Sequence, residues 1–309
     1  MRLFTLYFFL TFNLASAQLC EAWLEPTVVG QLQDERLDEL SGLSVSAAYP
    51  ERLYSVSDGG SPFLFLSDLE GEGVQAVRMG GLTDYTRDLE DLDVGPCAPD
   101  GATSCLFVGD IGGNSRTRDR VDIIVLEEVD EFPERVEPLF ITTLVYPDGP
   151  QDAEGLAVHP NGDIYVLSKE TPSLLGTDPA KLYRARAADW QAAPRTSFPL
   201  KLVAAIDLRA LSGSGLHLFS HLATSLDLSA DGSKLLILTY GDAFELALDP
   251  LTLPDTRVSS VTTTTSSRRI PLRRLRQQEA ITYLSDDRFL YTTESGSGDS
   301  PLVELTCGD

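Results

Sequence analysis

Six residues recur five times along this chain, and the recurrence restricts the fold more than any other feature. The copies are Leu40-Ser41-Gly42-Leu43-Ser44-Val45, Leu89-Glu90-Asp91-Leu92-Asp93-Val94, Ala153-Glu154-Gly155-Leu156-Ala157-Val158, Ala223-Thr224-Ser225-Leu226-Asp227-Leu228 and Gln278-Glu279-Ala280-Ile281-Thr282-Tyr283. Each has a polar residue second, a mostly small residue third, and then apolar side chains at alternate positions. That alternation is the period of a β-strand. A second apolar run follows each copy: Leu53-Tyr54-Ser55-Val56, Leu106-Phe107-Val108-Gly109, Ile164-Tyr165-Val166-Leu167, Leu235-Leu236-Ile237-Leu238 and Phe289-Leu290-Tyr291-Thr292. The links Pro160-Asn161-Gly162-Asp163 and Ala230-Asp231-Gly232-Ser233 carry hairpin chemistry. Third strands follow, and fourth strands such as residues 200–206 precede the next copy. The copies stand 49 to 70 residues apart, enough for four strands and their loops. The expected fold is therefore all-β, a five-bladed β-propeller with four-stranded blades. The last copy reaches the C-terminus after three strands. Its fourth is expected from residues 21–24 or 27–29, so that an N-terminal strand pairs with the C-terminal blade and closes the ring.

The cysteines agree with this closure. Cys97 and Cys105 flank Ala98-Pro99-Asp100-Gly101, a turn signal, so a local bridge is expected there. Cys20 is then left for Cys307, and ring closure would bring them together. Four cysteines suit an oxidising compartment. Arg2, the apolar run from Leu3 to Leu10 and the ending Ala15-Ser16-Ala17 match a secretory signal peptide over residues 1–17. The run is too short to cross ~30 Å of hydrocarbon. A single propeller domain over residues 18–309, secreted or periplasmic and monomeric, is the expectation.

A net charge of −23 and a pI near 4.4 exclude nucleic acid and anionic membranes as partners, since a polyanion is repelled. A bound cation and a small ligand, expected to be anionic, fit better. The one basic cluster, Arg268, Arg269, Arg273, Arg274 and Arg276, reads as protection of an outer strand edge.

In a propeller the first strand of each blade lines the central channel. The second positions of the five copies, Ser41, Glu90, Glu154, Thr224 and Glu279, should therefore converge on the axis. Three carboxylates crowded there repel one another and lose hydration. A hard cation resolves both costs, and calcium takes six to eight oxygen ligands. No Cys or His recurs at this position, which argues against zinc or copper. The alternative is a water-filled, hydrogen-bonded channel with raised carboxylate pKa values.

The chain resembles the soluble calcium-activated nucleotidase (apyrase) family. The resemblance rests on Leu40-Ser41-Gly42-Leu43 followed by Leu53-Tyr54-Ser55-Val56-Ser57-Asp58, on Leu106-Phe107-Val108-Gly109 after Glu90, and on the order Ser, Glu, Glu, Ser/Thr, Glu. It implies a secreted propeller with a central calcium held by Ser41, Glu90, Glu154, Thr224 and Glu279. In that family an acidic pair and Arg-Thr-Gly follow the second strand of the first blade. Here the stretch is Ser57-Asp58-Gly59-Gly60-Ser61, and Gly109-Asp110-Ile111-Gly112-Gly113-Asn114 replaces a lysine-bearing loop.

Loops after the second strands should open on the same face as the axial residues. Asp58 and Asp110 are the candidate bases and Lys169, with Arg116, the candidate phosphate contact. Calcium would polarise the phosphoryl oxygens. Asp58 and Asp110 could instead cap turns, as Asp before Gly often does. His217 and His221 have i, i+4 spacing but no accompanying H-E-x-x-H pattern. The functional expectation is a calcium-dependent hydrolase of phosphate or phosphoanhydride esters. The competing classes are a lactone or ester hydrolase and a non-catalytic binding or scaffold propeller with structural calcium.

Overall fold

The computed structural model describes residues 18–60, 62–82, 88–98, 101, 103–173, 176–192, 196–213, 219–296 and 299–308. The expected signal peptide, residues 1–17, and His217 lie outside them. Five sheets, each antiparallel across its first four strands, form the blades of a ring. Their inner strands are Leu40–Val45, Leu89–Pro96, Ala153–Val158, Ala223–Leu228 and Gln278–Ser285. These are the five sequence copies, one per blade. The second strands are Leu53–Ser57, Ser104–Asp110, Ile164–Ser168, Leu235–Thr239 and Arg288–Thr293. The five-bladed propeller inferred from the repeat is the fold.

Second strands read as unbroken apolar runs because both of their faces are buried between blades. In blade 4, Leu235 and Ile237 pack towards blade 3 with Leu182, Val203 and Phe244. Leu236 and Leu238 turn the other way, towards Ile281, Phe289 and Tyr291 of blade 5. Each of the five junctions has such a cluster. The core is thus five wedges, and a strand of period two serves two wedges at once.

Blade 5 is closed by Thr27–Gln33, antiparallel to Asp299–Thr306. Of the two segments anticipated, residues 27–29 start this strand, while Trp23 makes one bridge to Cys307. Both expected disulfides form, Cys20–Cys307 and Cys97–Cys105. Cys20 N also donates to the buried Glu245 Oε2 at 3.1 Å, and Arg268 Nε donates to Cys20 O. Arg269 pairs with Asp242 at 2.9 Å. Two of the five arginines in the basic cluster are thereby engaged in the fold.

Three short strands exceed the four-stranded expectation. Arg135–Val136, Ser197–Pro199 and Ser259–Val261 each run parallel to the outermost strand of the preceding blade. Each ties a blade to its neighbour by backbone hydrogen bonds at the rim. No helix among the described residues is long and apolar enough to cross a membrane.

Candidate functional site

Every inner strand slips register at an equivalent place, between Leu40 and Gly42, Leu89 and Asp91, Ala153 and Gly155, Ala223 and Ser225, and Gln278 and Ala280; the fifth slips again between Tyr283 and Ser285. The residues left unpaired are Ser41, Glu90, Glu154, Thr224 and Glu279. A β-bulge frees one residue from the ladder and re-aims its side chain. The chain builds the same bulge in all five blades, at one end of the channel.

The small residue after the bulge has a steric cause. A Cβ on Gly155 would stand 2.6 Å from Leu226 Cβ, so inner strands meet too closely there for a side chain. Where the position is not small it is polar and bridging. Asp91, fully buried, accepts from Leu156 N at 3.0 Å, Ser225 Oγ at 3.0 Å and Leu226 N at 3.2 Å. One carboxylate of blade 2 therefore joins blades 3 and 4. Two residues on, Asp93 accepts from Val158 N and Ser44 Oγ, and Asp227 accepts from Tyr283 N. These acids lace the inner strands together beneath the bulged ring.

The ring divides into two halves. In one, Ser41 Oγ donates to Glu90 Oε2 at 3.0 Å. Glu90 joins Asp58 and Asp88 in a cluster whose oxygens lie within 4.8 Å of one another. Gly112 shapes this cluster, since a Cβ there would overlap Glu90 Oε1 and the Asp88 carboxylate. In the other half, Lys169 Nζ lies 2.7 Å from Glu154 Oε1 as an ion pair. The same Nζ donates to Tyr240 Oη at 3.2 Å and sits 5.2 Å from its ring centroid. Thr224 Oγ1, Glu279 Oε2 and Asp58 Oδ1 are buried atoms without a hydrogen-bond partner.

Burial dominates the electrostatics. It pushes Glu154 up to about 7, with Lys169 acting in opposition. Burial and then the Glu154 charge raise Glu90 and Glu279 well above the carboxylate range. Burial, followed by Glu39, Glu294, Asp88 and Glu154, brings Asp58 to about 7. Burial acts against charge on Lys169, yet Glu154, Tyr240 and Glu279 more than offset it and keep the ammonium protonated.

The structure thus gathers Ser41, Asp58, Glu90, Glu154, Lys169, Thr224 and Glu279 at one mouth. Asp110 stands behind them. Arg118 Nη1 donates to its Oδ1 at 2.9 Å, and so does Asp88 N at 3.0 Å, so Asp110 holds the segment that carries Asp88. Arg116 occupies a turn with φ of 49°. Asp88 and the buried Asp152 escaped the sequence reading. Both stand two residues before a bulged glutamate, a D-x-E pattern visible in blades 2 and 3. His221 lies in a turn rather than a helix.

No protein-family model and no curated protein matches the chain. Solved structures do resemble it. The major Malassezia sympodialis allergen Mala s 1 superposes with a TM-score of 0.53 at 10% identity, over 92% of this chain and 96% of that one. The PQQ-bound aldose sugar dehydrogenase of Streptomyces coelicolor gives 0.50 at 10% identity, over 91% and 98%. At this identity the likeness is one of fold. The site must speak through its own residues.

Proposed function

We propose that this chain is a calcium-dependent hydrolase that works at the axial mouth on small esters carrying little charge. The observation that carries the reading is the donor set: buried, oxygen-only and short of partners. Thr224 Oγ1 and Glu279 Oε2 are buried without a hydrogen-bond partner, and Asp58, Asp88 and Glu90 crowd together. Buried polar atoms left unbonded cost about 1–3 kcal/mol each, so a hard cation fits the set. Asp88 and Glu90 would hold it beside Asp58, with Ser41, Thr224, Glu154 and Glu279 around the ring. A bound calcium ion supplies a Lewis acid that polarises the oxygen of the scissile group.

The chain's own residues supply the rest. Asp58, less buried than Glu90, would take a proton from the attacking water and return it to the leaving oxygen as the ester bond breaks. Lys169 stabilises the negative charge that develops on the substrate oxygen. Asp110 acts at one remove by fixing the Asp88 backbone. Two disulfides suit an oxidising compartment, and we place the protein outside the cytoplasm on that ground.

Charge selects the substrate. Asp58, Asp88, Glu90, Asp152, Glu154, Glu279 and Glu294 border the mouth, against Lys169 and an Arg118 already paired with Asp110. A nucleoside triphosphate would bring three or four more negative charges to a mouth whose Lys169 already pairs with Glu154. We therefore carry over from the nucleotidase resemblance the ring and not the substrate. Carboxylic esters, lactones and singly charged phosphodiesters suit this mouth.

A panel of aryl esters, lactones, bis(4-nitrophenyl) phosphate and nucleotides tests the reading. Turnover of a low-charge ester is expected with calcium and not with chelator. It should fall by roughly 10²-fold or more in Asp58→Asn and in Lys169→Met. Silence across the whole panel would favour the non-catalytic binding propeller. Turnover confined to nucleotides would overturn the charge argument.

A further inference from the structure

The inner strands carry a second set of converging side chains, at the end of the channel opposite the bulges. The fifth position of the five copies is Ser44, Asp93, Ala157, Asp227 and Thr282, and the sixth is Val45, Val94, Val158, Leu228 and Tyr283. Two adjoining cavities of about 210 and 380 Å³ lie at this end, and Ala47, Asp93, Leu228 and Ala230 line both. Every sixth-position side chain lines one or the other, so all five blades contribute to a mainly apolar collar. Ala47 and Ala230 are exposed at the rim, and the space opens to solvent between them.

Inside the collar stand two carboxylates, Asp93 and Asp227, which are 8% and 7% exposed. Asp93 accepts from Ser44 Oγ at 3.1 Å and from Val94 N and Val158 N at 2.7 Å. Asp227 accepts from Leu228 N at 2.7 Å and Tyr283 N at 2.6 Å. All of these donors are neutral, and no Lys or Arg among the described residues acts on either acid. Buried charges are normally paired, so this end of the channel lacks a cation. Burial raises both carboxyls, and the Asp93 charge raises Asp227 further, so the pair resists carrying two charges and one positive group matches it. Each carboxylate has about four acceptor sites and keeps room for another donor. Because backbone N–H groups already hold these oxygens, the set suits a hydrogen-bonding cation better than a metal ion, which would have to displace them.

We propose that this opposite mouth binds a small primary amine as its ammonium ion, the N–H groups donating to Asp93 and Asp227 and the hydrocarbon body resting against Val45, Val94, Val158 and Leu228. A primary ammonium has three donors, enough for both carboxylates and for the hydroxyl of Ser44 or Thr282 beside them. The net charge of −23 draws cations to the protein. The site is separate from the axial calcium mouth and does not depend on the hydrolase reading.

Calorimetric titration of calcium-saturated protein with butylammonium chloride tests the proposal, with butanol as the uncharged analogue. Butylammonium should bind one site with a Kd of about 1 mM or tighter. Butanol should bind roughly tenfold or more weakly, since it lacks the charge-assisted bonds. Ala47→Trp puts an indole at the rim common to both cavities and leaves the acids intact; it should weaken butylammonium by roughly tenfold or more. Asp227→Asn should do the same, and if that variant does not fold, Ala47→Trp decides alone. The proposal is overturned by an absence of butylammonium binding, by binding that Ala47→Trp leaves unchanged, or by butanol binding as tightly as the amine.

Discussion

In calcium-free solution the protein should lose stability as the pH rises from about 5 to 8, the reverse of ordinary acid denaturation. Burial raises Glu90, Glu279, Asp91 and Asp227 well above the usual carboxylate range. It brings Asp58 and Glu154 to about 7 and Glu170 to about 8. The folded chain therefore keeps protons that the unfolded chain releases near pH 4 to 4.5. Their stabilisation is fully present below that range and disappears as the pH climbs through the folded values. Each such group can contribute up to about 1.4 kcal/mol per pH unit. Few carboxylates pull the other way. Asp34 is held low by its hydrogen bond from Arg36, and Asp231 by its bonds from Ser233, but both lie near the surface. Calcium should reverse the trend, because it stabilises the ionised ring. At a thousandfold excess over Kd the gain is about 4 kcal/mol, or of order 10 °C in Tm. Thermal melts at pH 5 and pH 8, with chelator and with calcium, read both effects. A metal-free Tm that climbs towards pH 8 would contradict the burial argument.

Ring closure gives the second large effect. Cys20–Cys307 spans 287 residues, whereas Cys97–Cys105 spans 8. Chain entropy assigns roughly 5–6 kcal/mol to a loop of the first length and roughly 2–3 kcal/mol to the second. Replacing Cys20 and Cys307 together by serine should therefore destabilise the protein about twice as much as replacing Cys97 and Cys105. Thr27–Gln33 still pairs with Asp299–Thr306 in that variant, which makes the entropic figure an upper limit. Urea denaturation of the two double variants compares them directly. Equal losses would show that the strand alone closes the ring.

The legible part of the fold was its period. Ser41, Glu90, Glu154, Thr224 and Glu279 aligned by sequence because one bulge geometry imposes one pattern, a freed polar residue and then a residue that neighbouring strands crowd. The inter-blade strands were hidden. Arg135–Val136 and Ser197–Pro199 are too short to display an alternation, and their pairing depends on which blade lies alongside. Side-chain engagement was hidden too. Asp110 looks like a free acid in Gly109-Asp110-Ile111-Gly112, but Arg118, eight residues later, returns to it. Asp88 was within reach, since Asp88-Leu89-Glu90 and Asp152-Ala153-Glu154 share a spacing. Lys169 was read from its loop position, but its pairing with Glu154 depends on a contact between side chains 15 positions apart, for which the sequence carries no signal.

Calcium titration by calorimetry on chelator-treated protein tests the central claim most directly. The account predicts one tight site per chain at pH 7.5, weakened by about 10²-fold or more in Glu90→Gln and in Asp88→Asn, each checked for retained fold by circular dichroism. A folded wild-type protein that takes up no calcium, or an affinity that both variants leave unchanged, would contradict it.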